Sequence, residues 1–188
     1  MTTIIGIAGS LRRASYNAAL LRAAAALAPA GLAIEVASIR DIPLYDGDLE
    51  AEHGLPDPVR ALKDRIAAAD GVLLVTPEYN TSIPGVLKNA IDWLSRPPQD
   101  ITRVFGGKPV GLMGATVGPS GTALAHAAWL PVLRTLGTQT WFGPRVYVSN
   151  AAKMFDADGR IVDEAVRTAV AKYLSGFAEF VARVGRAT

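Results

Sequence analysis

Cysteine is absent from the 188-residue chain, which excludes disulfides, a thiol nucleophile and any cysteine-based metal site. Histidine is nearly as scarce. His53 and His126 are the only two and lie far apart in sequence, too few for a His-rich metal centre. Charged residues make up 19% of the chain and almost cancel, at a formal +2. So small an excess, with no run of five like charges, is not the footprint of a nucleic-acid-binding surface. No stretch approaches the length of apolar sequence that spans a bilayer. The opening MTTIIGIAGSLRRAS places no basic residues ahead of its apolar run, unlike a secretory signal. These absences point to a soluble, cytoplasmic protein that works on small molecules, without metal, nucleic acid or a membrane span.

Hydrophobic residues make up 50% of the chain, enough for a sizeable core, and the length fits one domain over 1–188. Short apolar runs alternate with longer Ala/Leu-rich stretches. Thr3–Ala8, Ala33–Ile39, Gly71–Thr76, Pro109–Gly114 and Arg145–Val148 read as strands apolar on both faces, which suits a parallel sheet covered on both sides. Asn17–Leu27, Val59–Ala69, Gly85–Leu94, Gly121–Leu136 and Asp163–Val184 read as helices. Asp57 is the expected N-cap of the second, with Pro58 in its first turn. Arg40–Pro56 reads as a polar surface excursion, and Phe155–Arg160 as a tight turn. The alternation predicts an α/β three-layer sandwich of flavodoxin-like type, a five-stranded parallel sheet of order 2-1-3-4-5.

In such a fold, ligands bind at loops leaving the carboxyl ends of the strands. Three of these loops have unusual sequences. Gly9-Ser10-Leu11-Arg12-Arg13-Ala14-Ser15-Tyr16-Asn17 sets small polar side chains and arginines at a helix N-terminus, a combination suited to a phosphate; simple capping by Ser15 or Asn17 explains only one of these residues. It is not a dinucleotide fingerprint, because Gly6-x-x-Gly9 lacks the G-x-G-x-x-G spacing. Thr76–Gly85 is bracketed by prolines and exposes Glu78, Tyr79 and Asn80, a stiff edge for a flat heterocycle. Gly114–Gly121 is built of small residues that allow close backbone approach, or simply make a flexible connection.

Two stretches, G-S-L-R-x-x-S-x-N over Gly9–Asn17 and V-T-P-E-Y-N-x-S-x-P-G-x-L-K-N-A-I-D-W over Val75–Trp93, resemble the NADPH-dependent FMN reductase family, in particular its bacterial quinone and chromate reductase branch. Ile42–Tyr45 and the Phe155–Gly159 turn match as well, so the resemblance covers most of the chain. It implies FMN as cofactor and NADPH or NADH as co-substrate. It also implies hydride transfer from NAD(P)H to bound FMN, and onward to a quinone, chromate or similar small acceptor. Carried over residue by residue, Ser10, Arg12, Ser15 and Asn17 would hold the FMN phosphate. Pro77, Glu78, Tyr79, Asn80 and Ser82 would line the flavin edge, mostly through backbone groups. Gly118, Ser120 and Gly121 would approach the pyrimidine side. No catalytic side chain is implied, since the flavin carries the chemistry; Tyr79 would shape the second substrate's site. The family also implies a homodimer or dimer of dimers, joined through the helices 85–94 and 121–136. One departure is Ala125-His126-Ala127-Ala128-Trp129, where relatives often carry glutamine and arginine; Trp129 is a candidate apolar anchor there, and Trp141 and Phe142 are others.

Rival readings are a reductase using FMN as a diffusible substrate and a flavodoxin-like electron carrier without NAD(P)H activity. Carriers of that kind are usually strongly acidic, and this chain is not. Two local motifs are decoys. Gly106-Gly107-Lys108-Pro109 precedes a strand, not the helix that a P-loop opens. Asp156-x-Asp158-Gly159 lacks the remaining ligands of a calcium loop. His126 is expected on a helix surface or at an interface, and His53 in a solvated loop.

Overall fold

The computed structural model describes residues 1–185; residues 186–188 of the expected 1–188 domain lie outside the described residues. Strands β1 (Thr2–Ala8), β2 (Leu32–Ala37), β3 (Gly71–Val75) and β4 (Pro109–Ala115) form a parallel sheet, extended at the β4 edge by the short β5 (Gln139–Thr140) and β6 (Tyr147–Val148). The order is β2-β1-β3-β4-β5, with β6 also on β4. β3 and β4 are buried along their whole length, as uninterrupted apolar runs demand. Register is set by Ile5 opposite Val72 and by Leu74 opposite Leu112.

Helices cover both faces. On one, α3 (Asp57–Ala68), α4 (Gly85–Leu94), the short α5 (Ile101–Phe105) and α6 (Ala123–Thr135) close a core around Ile66, Trp93, Phe105 and Trp129. On the other, α1 (Tyr16–Ala26) and α8 (Glu164–Val184) pack Leu20, Leu21, Leu174 and Phe177 against the sheet. Asp163 caps α8, its carboxylate accepting the Val166 N–H at 2.8 Å. Among the described residues no helix is long and apolar enough to cross a membrane.

Three expectations need correction. Pro56, not Asp57, stands at the N-cap of α3: its carbonyl accepts the Arg60 N–H at 3.0 Å, and Asp57 lies in the first turn beside Arg60. The polar excursion 40–56 contains a helix, α2 (Gly47–His53), capped by Asp46. It buries no residue, so it has no apolar stripe to reveal it. The fifth strand is split. Gln139 and Thr140 pair with the start of β4 and Tyr147 and Val148 with its end; Trp141 and Val146 each keep one backbone bond to β4, and residues 142–145 leave the ladder between them. Pro144, without an N–H, cannot hold a central ladder position. The buried Leu112 N–H in the gap donates instead to the Tyr173 hydroxyl at 2.8 Å. A four-residue helix α7 (Ala151–Met154) follows β6.

Candidate functional site

Parallel strands carry their exits to one edge of the sheet. The Gly9 N–H donates to the Val75 carbonyl (2.9 Å), the Thr76 N–H to Met113 (2.8 Å) and the Thr116 N–H to Val148 (2.9 Å). The three loops after β1, β3 and β4 are thereby held side by side.

The first loop ends in the N-terminus of α1. Ser15 caps the helix, its Oγ accepting the Ala18 N–H at 3.2 Å. Arg12 donates to the Ala14 carbonyl (2.8 Å) and lies over the Tyr16 ring, 5.6 Å from its centroid; among the described residues no carboxylate pairs with it. Ser10 Oγ accepts the Arg12 N–H at 3.4 Å and the Tyr79 O–H at 3.3 Å. Asn17 has another task. Its amide donates to the Ala115 carbonyl at 2.8 Å and accepts the Ala115 N–H at 2.9 Å, so this buried side chain ties α1 to the end of β4. Its two polar atoms are engaged with backbone rather than turned to the phosphate position expected for it.

The second loop is a tight turn. Tyr79 and Ser82 exchange both backbone hydrogen bonds at 3.0 Å, and Asn80 and Thr81 between them have φ of 49° and 59°. Positive φ at both central residues defines a type I′ turn, a conformation that a β-branched residue resists. Strain of this kind persists only where neighbours enforce it, and it collects at functional loops. The turn presents the half-exposed Tyr79 ring, 49% accessible, toward the first loop. Glu78 faces the other way: its Oε2 accepts the N–H groups of Leu124 (2.9 Å) and Ala125 (3.0 Å) and caps α6, whose own N-cap residue Thr122 makes no such bond. Pro77 is buried beneath. Thr76 Oγ1 donates to the Pro77 carbonyl and accepts the Trp129 indole N–H at 3.2 Å.

The third loop lies against β6. Gly121 has φ +70°, and a Cβ there would meet Tyr147 at 2.9 Å. Gly118 has open space beside it, with nothing nearer than Thr116 Oγ1 at 3.9 Å, and its carbonyl accepts the Asn150 N–H. Ser120 is exposed, and the buried Thr122 hydroxyl has no partner.

The arrangement fits a phosphorylated planar ligand. Ser10, Arg12 and Ser15 converge at the N-terminus of an 11-residue helix, where partial positive charge and spare donors favour a phosphate. Tyr79 links that cradle to the second loop, and the missing side chain at Gly118 leaves space for a ring. Glu78 joins the second loop to the third.

Two residues outside the sequence expectation complete the frame. Arg40 donates to the Leu11 carbonyl at 2.5 Å and pins the first loop from the excursion, and Asn150, with φ 49°, pins the third. Neither belongs to a motif; a lone Asn before a short helix was the only signal for the second.

His126 departs from its expected surface place. It is 7% exposed and edge-on to Tyr147, and burial pushes its imidazole pKa down to about 4. Trp129 is fully buried and holds Thr76, so it is core and not an apolar surface anchor. Lys108 donates to the Ala67 and Ala69 carbonyls at the end of α3, remote from these loops, and burial lowers its pKa. The Asp156 carboxylate accepts the Asp158 and Arg160 N–H groups and closes a turn. No group of three potential metal ligands occurs among the described residues.

Comparison with known proteins agrees with this geometry. The chain is 44% identical over 181 residues to an NAD(P)H-dependent FMN reductase of Pseudomonas aeruginosa, covering 96% of each. It is 41% identical to a 2-hydroxy-1,4-benzoquinone reductase of a Burkholderia species, over 93% of each chain. The solved structure of FerB, a flavoenzyme NAD(P)H:(acceptor) oxidoreductase of Paracoccus denitrificans, superposes with a TM-score of 0.86 at 36% identity, over 97% of this chain and 98% of that one. The family model for NADPH-dependent FMN reductases matches residues 2–153, the span that holds all three loops and the strands that carry them. With the fold, the loops and these relatives in agreement, the chain belongs to the NADPH-dependent FMN reductase family, an NAD(P)H-dependent flavin oxidoreductase family.

Proposed function

We propose that this protein binds FMN in the three-loop site, takes reducing equivalents from NAD(P)H and delivers them to a quinone or a similar small acceptor, with 1–188 acting as one domain. The observation that carries this reading is the Ser10–Tyr79 hydrogen bond of 3.3 Å, which joins a phosphate-type cradle to a rigid ring-binding turn. FMN, when bound, supplies the hydride-accepting and hydride-donating chemistry. The chain supplies the rest.

Ser10, Arg12 and Ser15 hold the phosphate through hydroxyls, one guanidinium and the free N–H groups of α1. Asn17 keeps α1 in register with β4 and acts as a positioning residue. Pro77, Glu78, Tyr79, Asn80 and Ser82 form the wall along the flavin edge, with main-chain groups facing the ring and the Glu78 side chain fixing α6. Gly118, Ser120 and Gly121 would lie along the pyrimidine side of a bound flavin, where backbone N–H groups would stabilise the negative charge of its reduced form. Tyr79, half exposed at the mouth, bounds the place where nicotinamide and acceptor alternate. Val86, Leu124 and Leu130 are exposed apolar side chains on α4 and α6, which supports self-association as a dimer or dimer of dimers through those helices. The names of the relatives favour a quinone over chromate as acceptor.

The test is spectroscopic. Purified protein loaded with FMN and passed through a desalting column keeps a flavin spectrum. Anaerobic NADPH bleaches it, and 1,4-benzoquinone restores it. A protein that loses all flavin on desalting yet reduces free FMN with NADPH is the diffusible-flavin reductase. Retained flavin that neither NADPH nor NADH bleaches overturns the proposal in favour of an electron carrier.

A further inference from the structure

β1 and β2 are parallel neighbours, with Ile7 beside Ala37, so both release their chains at the edge that holds the site. Shortly after these exits, Leu11 and Arg40 meet. The Arg40 guanidinium donates to the Leu11 carbonyl at 2.5 Å. It reaches out from fixed backbone: Ile39 is buried, and the Arg40 N–H donates to Ser38 Oγ at 3.1 Å. Leu11 packs on the same core as Ile39.

The charge of Arg40 is not spent on an acid. Arg65, Arg96 and Arg103, on the α3–α5 side, pair with Glu35, Glu50 and Asp64. Arg40 is exposed and pairs with no carboxylate among the described residues, Asp41 beside it in sequence included. Ordering a long cationic side chain costs rotamer entropy, and one bond to a neutral carbonyl is a weak return for it.

The peptide that Arg40 touches supplies a reason. A trans peptide points its C=O and its N–H in opposite directions. The Leu11 C=O faces Arg40. The other end of that unit, the Arg12 N–H, faces Ser10 Oγ at 3.4 Å, and Ser10 Oγ also accepts the Tyr79 O–H on the side of the cradle. The guanidinium therefore stands behind a peptide dipole whose positive end is turned inward. A cation in that position reinforces the dipole and favours an anion in front of it, as a nest of backbone N–H groups does. A phosphate monoester carries close to two negative charges near neutral pH, and the Arg12 guanidinium offsets only one.

We propose that Arg40 is a positioning residue of the phosphate cradle: it holds the Leu11–Arg12 peptide with its N–H inward and supplies the second positive charge that a phosphate dianion meets. This rests on the FMN reading of the three-loop site and adds to it a residue from outside both motifs. Arg40 acts on the phosphate end of the ligand and not on its ring.

The test compares FMN with riboflavin, which has the same ring and no phosphate, by fluorescence titration of the flavin-free, full-length protein. Arg40→Ala weakens FMN binding about tenfold at low ionic strength and leaves riboflavin within about twofold. The loss for FMN narrows as salt is added, because an exposed charge is screened. Arg40→Lys keeps the charge and a donor and brings FMN back to within about threefold, whereas Arg40→Gln keeps a donor alone and stays near Arg40→Ala. Equal losses for FMN and riboflavin make Arg40 a prop of the fold and overturn the proposal, and so does native FMN affinity in Arg40→Gln. A native preference for FMN over riboflavin that Arg40→Ala leaves intact overturns this inference alone. A native chain that binds FMN no more tightly than riboflavin overturns the cradle reading beneath it as well.

Discussion

Asn17 and Glu78 sit inside the two most specific motifs of the chain, yet each spends its side chain on protein backbone. Asn17 bonds both polar groups of Ala115, and Glu78 accepts two N–H groups of α6. The motifs disclosed that these residues matter; which partners they take depends on strands and helices that meet across long sequence separations. Glu78→Ala therefore strips the cap of α6 and lowers stability by about 1 kcal/mol, read as a fall in the urea midpoint with an unchanged slope. His126 has a separate signature. Its burial, only partly opposed by a hydrogen bond to the Met113 backbone, holds its pKa near 4, against 6.5 in an unfolded chain. Tyr147 faces it and Tyr173 and Arg145 line the cavity beside it, so no carboxylate there compensates an imidazolium. The unfolded chain thus takes up a proton near pH 6.5 that the folded chain refuses until about pH 4. Stability from this residue is complete above pH 6.5 and drains away as pH falls to about 4, by up to roughly 3 kcal/mol. Urea titrations from pH 7 to pH 4 show this loss in the native chain, and His126→Gln flattens it. Equal slopes for the two proteins would refute the assignment. From the sequence His126 is expected on a helix surface or at an interface; the split strand whose Tyr147 packs on it is not visible there.

At the scale of elements, strands buried on both faces were legible as apolar runs, and so were helices with an apolar stripe. Elements held by other forces were not. α2 buries nothing and is capped by Asp46, and β5 is two residues bounded by a departure after Trp141. The Tyr79–Ser82 turn is the element whose conformation matters most for the site. Asn-Gly is the preferred pair for a type I′ turn, and here Thr81 occupies the glycine place with φ 59°. Thr81→Gly relieves that strain and raises stability by about 0.5–1 kcal/mol, a net gain after the entropy of glycine in the unfolded chain. A lower urea midpoint for this variant would show the turn to be unstrained. Across the site mouth, Tyr79→Phe and Ser10→Ala each remove one end of the bond joining the first and second loops. If the bond orders the cradle, FMN dissociation constants for the pair are non-additive, with a coupling of about 0.5–1 kcal/mol. Additive effects, from fluorescence titrations of the two singles and the double, would make the contact incidental.

For the whole molecule, the division is between a sheet that needs no ligand and an edge that does. Ile7, Leu73, Leu74, Val75 and Met113 are almost inaccessible, and the helices on both faces complete their burial. The three loops are tied less continuously: Leu11 and Ile83 pack on the edge of the core, and hydrogen bonds from Arg40, Asn17, Glu78 and Asn150 pin the rest. FMN binding the folded chain alone then stabilises it by mass action, by about 2.7 kcal/mol when free FMN is a hundredfold above its dissociation constant. The added protection need not be uniform, because local opening of loops is a lower-energy event than global unfolding. Amide hydrogen exchange with and without FMN tests where it falls. Residues 9–15, 76–84 and 116–122 gain protection from local opening, whereas β3 gains only the increment set by global stability. Arg12→Ala, which removes the unpaired guanidinium at the cradle, weakens FMN binding by about tenfold or more and shrinks the loop protection in step. Its exchange in the flavin-free state stays that of the native chain, since Arg12 bonds only locally, to Ala14 and the Tyr16 ring. Protection spread evenly over α8 and the loops would mean that FMN acts on the fold as a unit, with no separation of sheet from edge.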